Sequence, residues 1–140
     1  MKFLKLGLIA TLASMAIHAQ AAGKNELDST IQAAYQCKAQ GVKSSIPLNV
    51  MYGLKNGKVV VAQAKMSNGT LSKGLWANAT QNNVFTSREA DGTIWTTTPH
   101  NHNNIHRVDG GILSVRQNGK NAIVLENCKL DPKATAQLNG

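Results

Sequence analysis

Aromatic residues are scarce in this chain, with two Trp, two Tyr and two Phe in 140 residues. So few rings cannot supply the stacking platforms of a single-strand nucleic-acid binder. Acidic residues are also few, 7 against 15 Lys and Arg, and they offer no credible carboxylate pair for glycosidase chemistry. Ser, His and Asp are present, but Asp109 near His106 is too weak a signal for a hydrolytic triad. The chain reads as a non-enzyme, with no cofactor expected. Its basic residues are scattered from Lys24 to Lys133 rather than clustered, which argues against nucleic acid as a partner. Repeats and low-complexity stretches are absent.

Cysteine is limited to Cys37 and Cys128, and the start of the chain says how to read them. Lys2 and Lys5 form a basic leader and Leu6 to Ile17 a mostly apolar stretch. Ala19-Gln20-Ala21 then supplies the small-x-small pattern of a cleavage site. Residues 1–21 are therefore expected to be a signal peptide. The apolar stretch is too short for a comfortable membrane span, and no transmembrane segment is expected after its removal. The protein is expected in the periplasm, associated with the outer membrane, or secreted. In such an oxidising compartment two cysteines pair rather than stay free. A Cys37–Cys128 bond would close a loop of roughly 90 residues and add about 4–5 kcal/mol on chain-entropy arithmetic.

About 119 residues remain, enough for one domain. Removing Lys2 and Lys5 leaves 13 basic against 7 acidic residues, a net of +6, which favours acidic partners. The predicted layout is an N-terminal segment over 22–32, a β-barrel over 33–131 and a loosely ordered polar tail over 132–140. The barrel expectation rests on turn signals. Asn56-Gly57 separates Ile46–Leu54 from Val59–Met66, and Asn68-Gly69 separates the latter from Leu71–Ala77. Asp91-Gly92 lies between Val84–Glu89 and Thr93–Thr98, and Asn118-Gly119 between Ile112–Gln117 and Ala122–Cys128. Such dipeptides tolerate the positive φ of tight hairpins. With Ala33–Lys38 in front, eight strands follow. They predict an all-β fold, a small eight-stranded antiparallel barrel closed by a disulfide from first strand to last. Alternation places Phe85 opposite Val84, Thr86 and Arg88, and Trp95 opposite Ile94 and Thr96. It also places Ile123, Leu125 and Asn127 on the inner face of the last strand. A single helical turn is expected near Asn25–Gln32, capped by Asp28 or Ser29. Trp76, Trp95 and Tyr52 read as packing aromatics, and Met51 and Met66 as core filler.

The flanks of the two cysteines carry a resemblance. Tyr35-Gln36-Cys37 opens the domain and Ile123-Val124-Leu125-Glu126-Asn127-Cys128-Lys129-Leu130 closes it. These segments resemble the membrane-bound and periplasmic inhibitors of C-type lysozyme, within which the chain is most similar to the adhesin complex protein branch. Asn83-Val84, Thr86, Gly92 and Gly111-Ile112-Leu113 extend the likeness. The resemblance implies a small barrel that occludes the active-site cleft of host C-type lysozyme, with attachment to host cells as the alternative role. The S-G-x-x-Y and W-[ST]-K-G segments of the inhibitors do not stand at their expected places, so no inhibitory residue carries over by motif.

Lysozyme works through two cleft carboxylates, and a plug for that cleft needs hydrogen-bond donors. Ser72-Lys73, Ser87-Arg88 and His106-Arg107 are the candidate pairs. A third role lies in the loop that follows Pro99. There His100, His102 and His106 fall within seven residues and could hold a metal or small ligand. Protonation toward pH 6 would make that loop more cationic.

Overall fold

The strands form where the β-branched runs and Asn-Gly turns place them. The computed structural model describes residues 27–140, so the expected signal segment and residues 22–26 lie outside the described residues. Eight strands follow one another: β1 (Ser29–Lys38), β2 (Ile46–Lys55), β3 (Lys58–Met66), β4 (Leu75–Ala77), β5 (Val84–Ser87), β6 (Ile94–Thr97), β7 (Gly110–Gln117) and β8 (Lys120–Leu130). Each pairs with its neighbour, and β8 returns to β1 to close an antiparallel barrel. At the β2–β3 and β7–β8 hairpins both central residues take positive φ, Asn56 54° with Gly57 76° and Asn118 52° with Gly119 76°. Two-residue turns of that hand match the twist of the strands they join.

The barrel is solid. Tyr35, Tyr52, Phe85 and Trp95 are fully buried, surrounded by Leu48, Val50, Leu75, Leu113 and Leu125. Trp95 Nε1 donates to Tyr52 Oη at 2.8 Å, and the Tyr35 and Tyr52 hydroxyls are bonded at 2.7 Å. The rings of Tyr35 and Trp95 meet edge-on at 5.2 Å. Each polar tip thus has a partner, the condition for burying these residues without a desolvation penalty. Burial pushes both phenols well above their ordinary range, so neither ionises in the working pH range. A Cβ on Gly110 would come within 2.5 Å of the Trp95 ring, so the start of β7 is glycine where the indole needs room. Trp95 and Tyr52 pack as expected. Met51, by contrast, lies with Val61 in a small cluster separate from the main core, where Leu27 and Trp76 pack on it.

Cys37 and Cys128 are joined, with Cα atoms 4.0 Å apart across the β1–β8 seam. Only Tyr35↔Leu130, Gln36↔Lys129 and Lys38↔Glu126 pair there, with a register shift between Gln36 and Lys38. Asn127 takes φ 50° beside this shift, marking a bulge. A second shift lies between Leu113 and Ser114 on the β7 side. Together they overturn the simple alternation predicted for β8. Leu125 and Cys128 are both buried although three residues apart, while Ile123 is 58% exposed.

Two other expectations are corrected. The described part of Asn25–Gln32 is not helical, because Ser29–Gln32 already belongs to β1, whose Ser29 pairs with Leu54 of β2. Asp28 joins this edge as well, donating its N–H to the Leu54 carbonyl and accepting from the Asn56 N–H. The tail is not loose either: Pro132–Asn139 forms α1. Asp131 caps it by accepting from the Ala134 N–H at 3.0 Å, with Pro132 at the first turn. The helix supplies what β8 cannot. β8 ends opposite Tyr35, leaving the N-terminal half of β1 without a strand on that side. Thr135 Oγ1 accepts from Ala34 N at 2.8 Å and donates to Ala34 O at 3.3 Å. Asn139 accepts from Gln32 N at 2.9 Å and donates to Gln32 O at 2.7 Å. Four helical residues rise about 6 Å and two strand residues about 6.7 Å, so helix positions i and i+4 reach strand positions j and j−2 on the antiparallel strand. Two side chains thereby replace two rungs of a ladder and cover an open edge.

Replacing Thr135 by Val keeps shape and removes both bonds to Ala34. Urea unfolding should show a loss of roughly 1–3 kcal/mol, the cost of leaving a buried backbone donor unmet. A change within a few tenths would mean that α1 is not part of the closure.

Candidate functional site

A barrel filled with its own side chains has no room for a ligand inside, so a site must lie on its rim or outer surface. The three candidate pairs separate to the two ends. Lys73 precedes β4 and Arg88 follows β5, and these strands are antiparallel, so both cations come to one end. The loop from β6 to β7, with His106 and Arg107 in a 3-10 turn (Ile105–Arg107), belongs to the opposite end.

At the first end the hydroxyls are already committed. Ser72 Oγ accepts from the Ala64 N–H at 2.9 Å and donates to the Lys73 carbonyl at 2.8 Å. Ser87 is buried; its hydroxyl donates to Asp91 at 2.7 Å and accepts from the Glu89 N–H at 3.0 Å. Burial works to raise the Asp91 carboxyl, but the Thr93 and Ser87 hydroxyls with backbone N–H groups outweigh it and hold the carboxyl below its ordinary value. Both serine hydroxyls thus fasten loops to the barrel.

The cations are differently placed. Arg88 is exposed and its guanidinium carbon lies 4.1 Å from the centroid of the Trp76 ring. Lys73 Nζ is 3.7 Å from Glu89 Oε1, with about half of each side chain exposed, a pair that contributes little. Trp76 stands on β4 between Leu75, buried inside, and Ala77, and it faces outward. It is a packing aromatic as expected, but on the outside of the barrel: its ring packs on the exterior Met51–Val61 cluster and carries Arg88. A cavity of about 220 Å³ opens here, lined by Gly74, Trp76, Arg88 and Glu89. Trp76, Gly74 and Glu89 were not singled out as functional by sequence. The available signal was the parity of Leu75-Trp76-Ala77, which can send only one of its two large side chains inward.

At the far end the rings of His100 and His102 meet edge-on, with centroids 6.3 Å apart. His102 Nδ1 accepts from the Val59 N–H at 3.1 Å, so its neutral ring carries the proton on Nε2. Both nitrogens of His100 face carbonyl oxygens, Asn101 O at 2.7 Å and Asn82 O at 3.2 Å. His106 Nδ1 is shut off from solvent with no hydrogen-bond partner among the described residues. No group of three or more His, Cys, Asp or Glu that could hold a metal ion occurs among the described residues. The described residues thus lend the metal expectation for His100, His102 and His106 no support, and His100 and His102 hydrogen-bond to backbone groups. Buried Ile105 anchors the same loop, and Asp109 accepts from the Leu130 N–H at 2.8 Å, far from any triad role.

Burial first, and then the neighbouring Arg107 charge, lower the pKa of His106. The unfolded chain therefore binds a proton at a pH where the folded chain does not, and stability falls as pH drops through about 6.5. For this residue that opposes the expected gain of charge toward pH 6. His106→Gln should flatten the pH dependence of urea unfolding between pH 7.5 and 5.5; an unchanged slope would contradict this assignment.

Residues 31–130 match the family model described as the ACP-like domain. No curated protein and no solved structure is significantly similar to the chain. The matched stretch runs from within β1 to the end of β8 and includes both cysteines, and it fits the adhesin complex protein branch suggested by their flanking segments. This chain belongs to the ACP-like domain family.

Proposed function

We propose that the protein is an exported, non-catalytic binding protein of the adhesin type, working from the outer face of its barrel. The supporting observation is the patch of Lys73, Trp76 and Arg88, where Arg88 lies against an aromatic ring and Lys73 reaches Glu89 beside it. Trp and Arg are the side chains that most often carry binding energy at protein surfaces. A filled interior leaves recognition to such a patch. The disulfide between Cys37 and Cys128 suits an oxidising compartment, in the periplasm or outside the cell, and the net charge of the exported chain suits acidic groups on a host cell surface.

Inhibition of C-type lysozyme is the second reading, favoured by the same two cations. A cleft holding two carboxylates accepts charge-assisted hydrogen bonds. With the Ser72 and Ser87 hydroxyls committed within the barrel, the donors would be Lys73 and Arg88. Lysozymes of this type are generally basic, so long-range attraction would not help a chain of net +6, and short-range complementarity would have to suffice.

Binding of the labelled, oxidised protein to host epithelial cells tests the first reading. Replacing Lys73 and Arg88 together by Ala should weaken it by about tenfold or more, the scale of a binding hot spot. Undiminished binding would remove the patch from the account. In a peptidoglycan lysis assay, loss of C-type lysozyme activity near equal stoichiometry, relieved by the same double variant, is the outcome of the second reading. Full lysis at large excess would eliminate it.

A further inference from the structure

The cavity beside Trp76 has a chemistry more specific than a basic patch. Its four lining residues supply an aromatic ring, a guanidinium, a carboxylate and a glycine. The Arg88 guanidinium carbon lies 4.1 Å from the centroid of the Trp76 ring, and the group carries five N–H donors in a planar fork. Arg88 belongs neither to the Lys73–Glu89 ion pair nor to the Lys129–Asp109 ion pair. Glu89 beside Lys73 demonstrates that a carboxylate oxygen can sit within reach of that ammonium. The pair is half-exposed and weak, so Lys73 can turn to another acid.

Glu89 also constrains what can enter. A bare carboxylate would be drawn by Arg88 and repelled by Glu89, an acceptor-only group at neutral pH. A ligand that carries one carboxylate together with hydroxyl donors answers both. A sugar acid has that composition, and the apolar part of its ring can lie against the rim of the indole, whose face carries Arg88. The volume, about 220 Å³, is below the roughly 300–1,000 Å³ of pockets for drug-sized ligands. One ring fits, not a chain of them.

We propose that this cavity binds the carboxylate-bearing sugar of an acidic glycan. Arg88 takes the carboxylate through its planar fork, Lys73 approaches the same group, Glu89 accepts from ring hydroxyls, and Trp76 forms the wall. The proposal rests on the reading of the chain as a binding protein and names the ligand of its patch. A titration with small sugars examines the cavity without any host cell, so either can fail while the other stands.

The probes are the methyl glycosides of N-acetylneuraminic acid and of glucuronic acid, which distinguish two sources of such an acid, with methyl galactoside and acetate as controls. The readout is the indole N–H resonance of the two tryptophans in the oxidised protein. Trp76 should shift on titration with at least one sugar acid and with neither control. Trp95, sealed inside and bonded to Tyr52, should stay in place. Arg88→Ala should weaken the binding at least about tenfold, the loss expected for a charge-assisted hydrogen bond. Arg88→Lys should fall between, since it keeps the charge and loses the fork, and Lys73→Ala should also weaken it. The proposal is overturned if neither sugar acid moves Trp76, if acetate or methyl galactoside binds as well as the acids, or if Arg88→Ala leaves affinity unchanged.

Discussion

Everything in this protein depends on closing the seam between its first strand and its last. Neighbouring strands elsewhere are joined by short connections that hold them in place, but β1 and β8 start the closure from opposite ends of the domain. Their ladder is brief and is interrupted by the bulge at Asn127. Three devices complete it. The Cys37–Cys128 bond ties the seam covalently, with a sequence separation of 91, where the entropy removed from the unfolded chain is large. The Thr135 and Asn139 side chains continue the edge of β1 beyond the last residue of β8. The carboxylate of Asp109 receives the Leu130 N–H and ties the β6–β7 loop to the end of the same strand.

Closure decides where function can reside. Once eight strands curve into one cylinder, the interior must be filled, and four aromatic rings fill it, with the polar tips of Tyr35, Tyr52 and Trp95 bonded to one another. The remaining chemistry faces outward. The short strands β4 and β5 lie across the barrel wall from the seam, and there Trp76, Arg88 and Lys73 share one surface with Glu89. The loops on either side are held by the Ser72 and Ser87 hydroxyls. The two serine hydroxyls expected as donors are thus engaged in holding the loops that carry Lys73 and Arg88.

Much of the barrel was legible in the residues. Asn56-Gly57 and Asn118-Gly119 needed only their backbone preference to mark hairpins, and the parity of Val84–Ser87 and Ile94–Thr97 matches the burial observed. Parity failed at β8 because bulges add residues that no period-two pattern contains, and so Ile123 lies outside. The tail was misread because Thr135 and Asn139 resemble solvent-facing residues, while their partners, the backbone groups of Ala34 and Gln32, lie about a hundred positions away. Asp131-Pro132 was nonetheless a readable helix start. At the site, Lys73 and Arg88 were identified but their convergence was not, since it follows from the β4–β5 register. The grouping of His100, His102 and His106 in sequence suggested a shared ligand, and the backbone partners of the His100 and His102 rings reveal a fastening role for those two.

The most direct measurement is amide hydrogen exchange in a Cys37→Ala/Cys128→Ala variant, compared with the oxidised protein under native conditions. If the seam governs the whole barrel, protection at Trp76 and Thr86 should fall in step with protection at Tyr35 and Cys128, because opening there unfolds the sheet as one unit. Faster exchange confined to β1 and β8, with Trp76 and Thr86 as protected as before, would contradict the account: the wall that carries the patch would then stand without the seam.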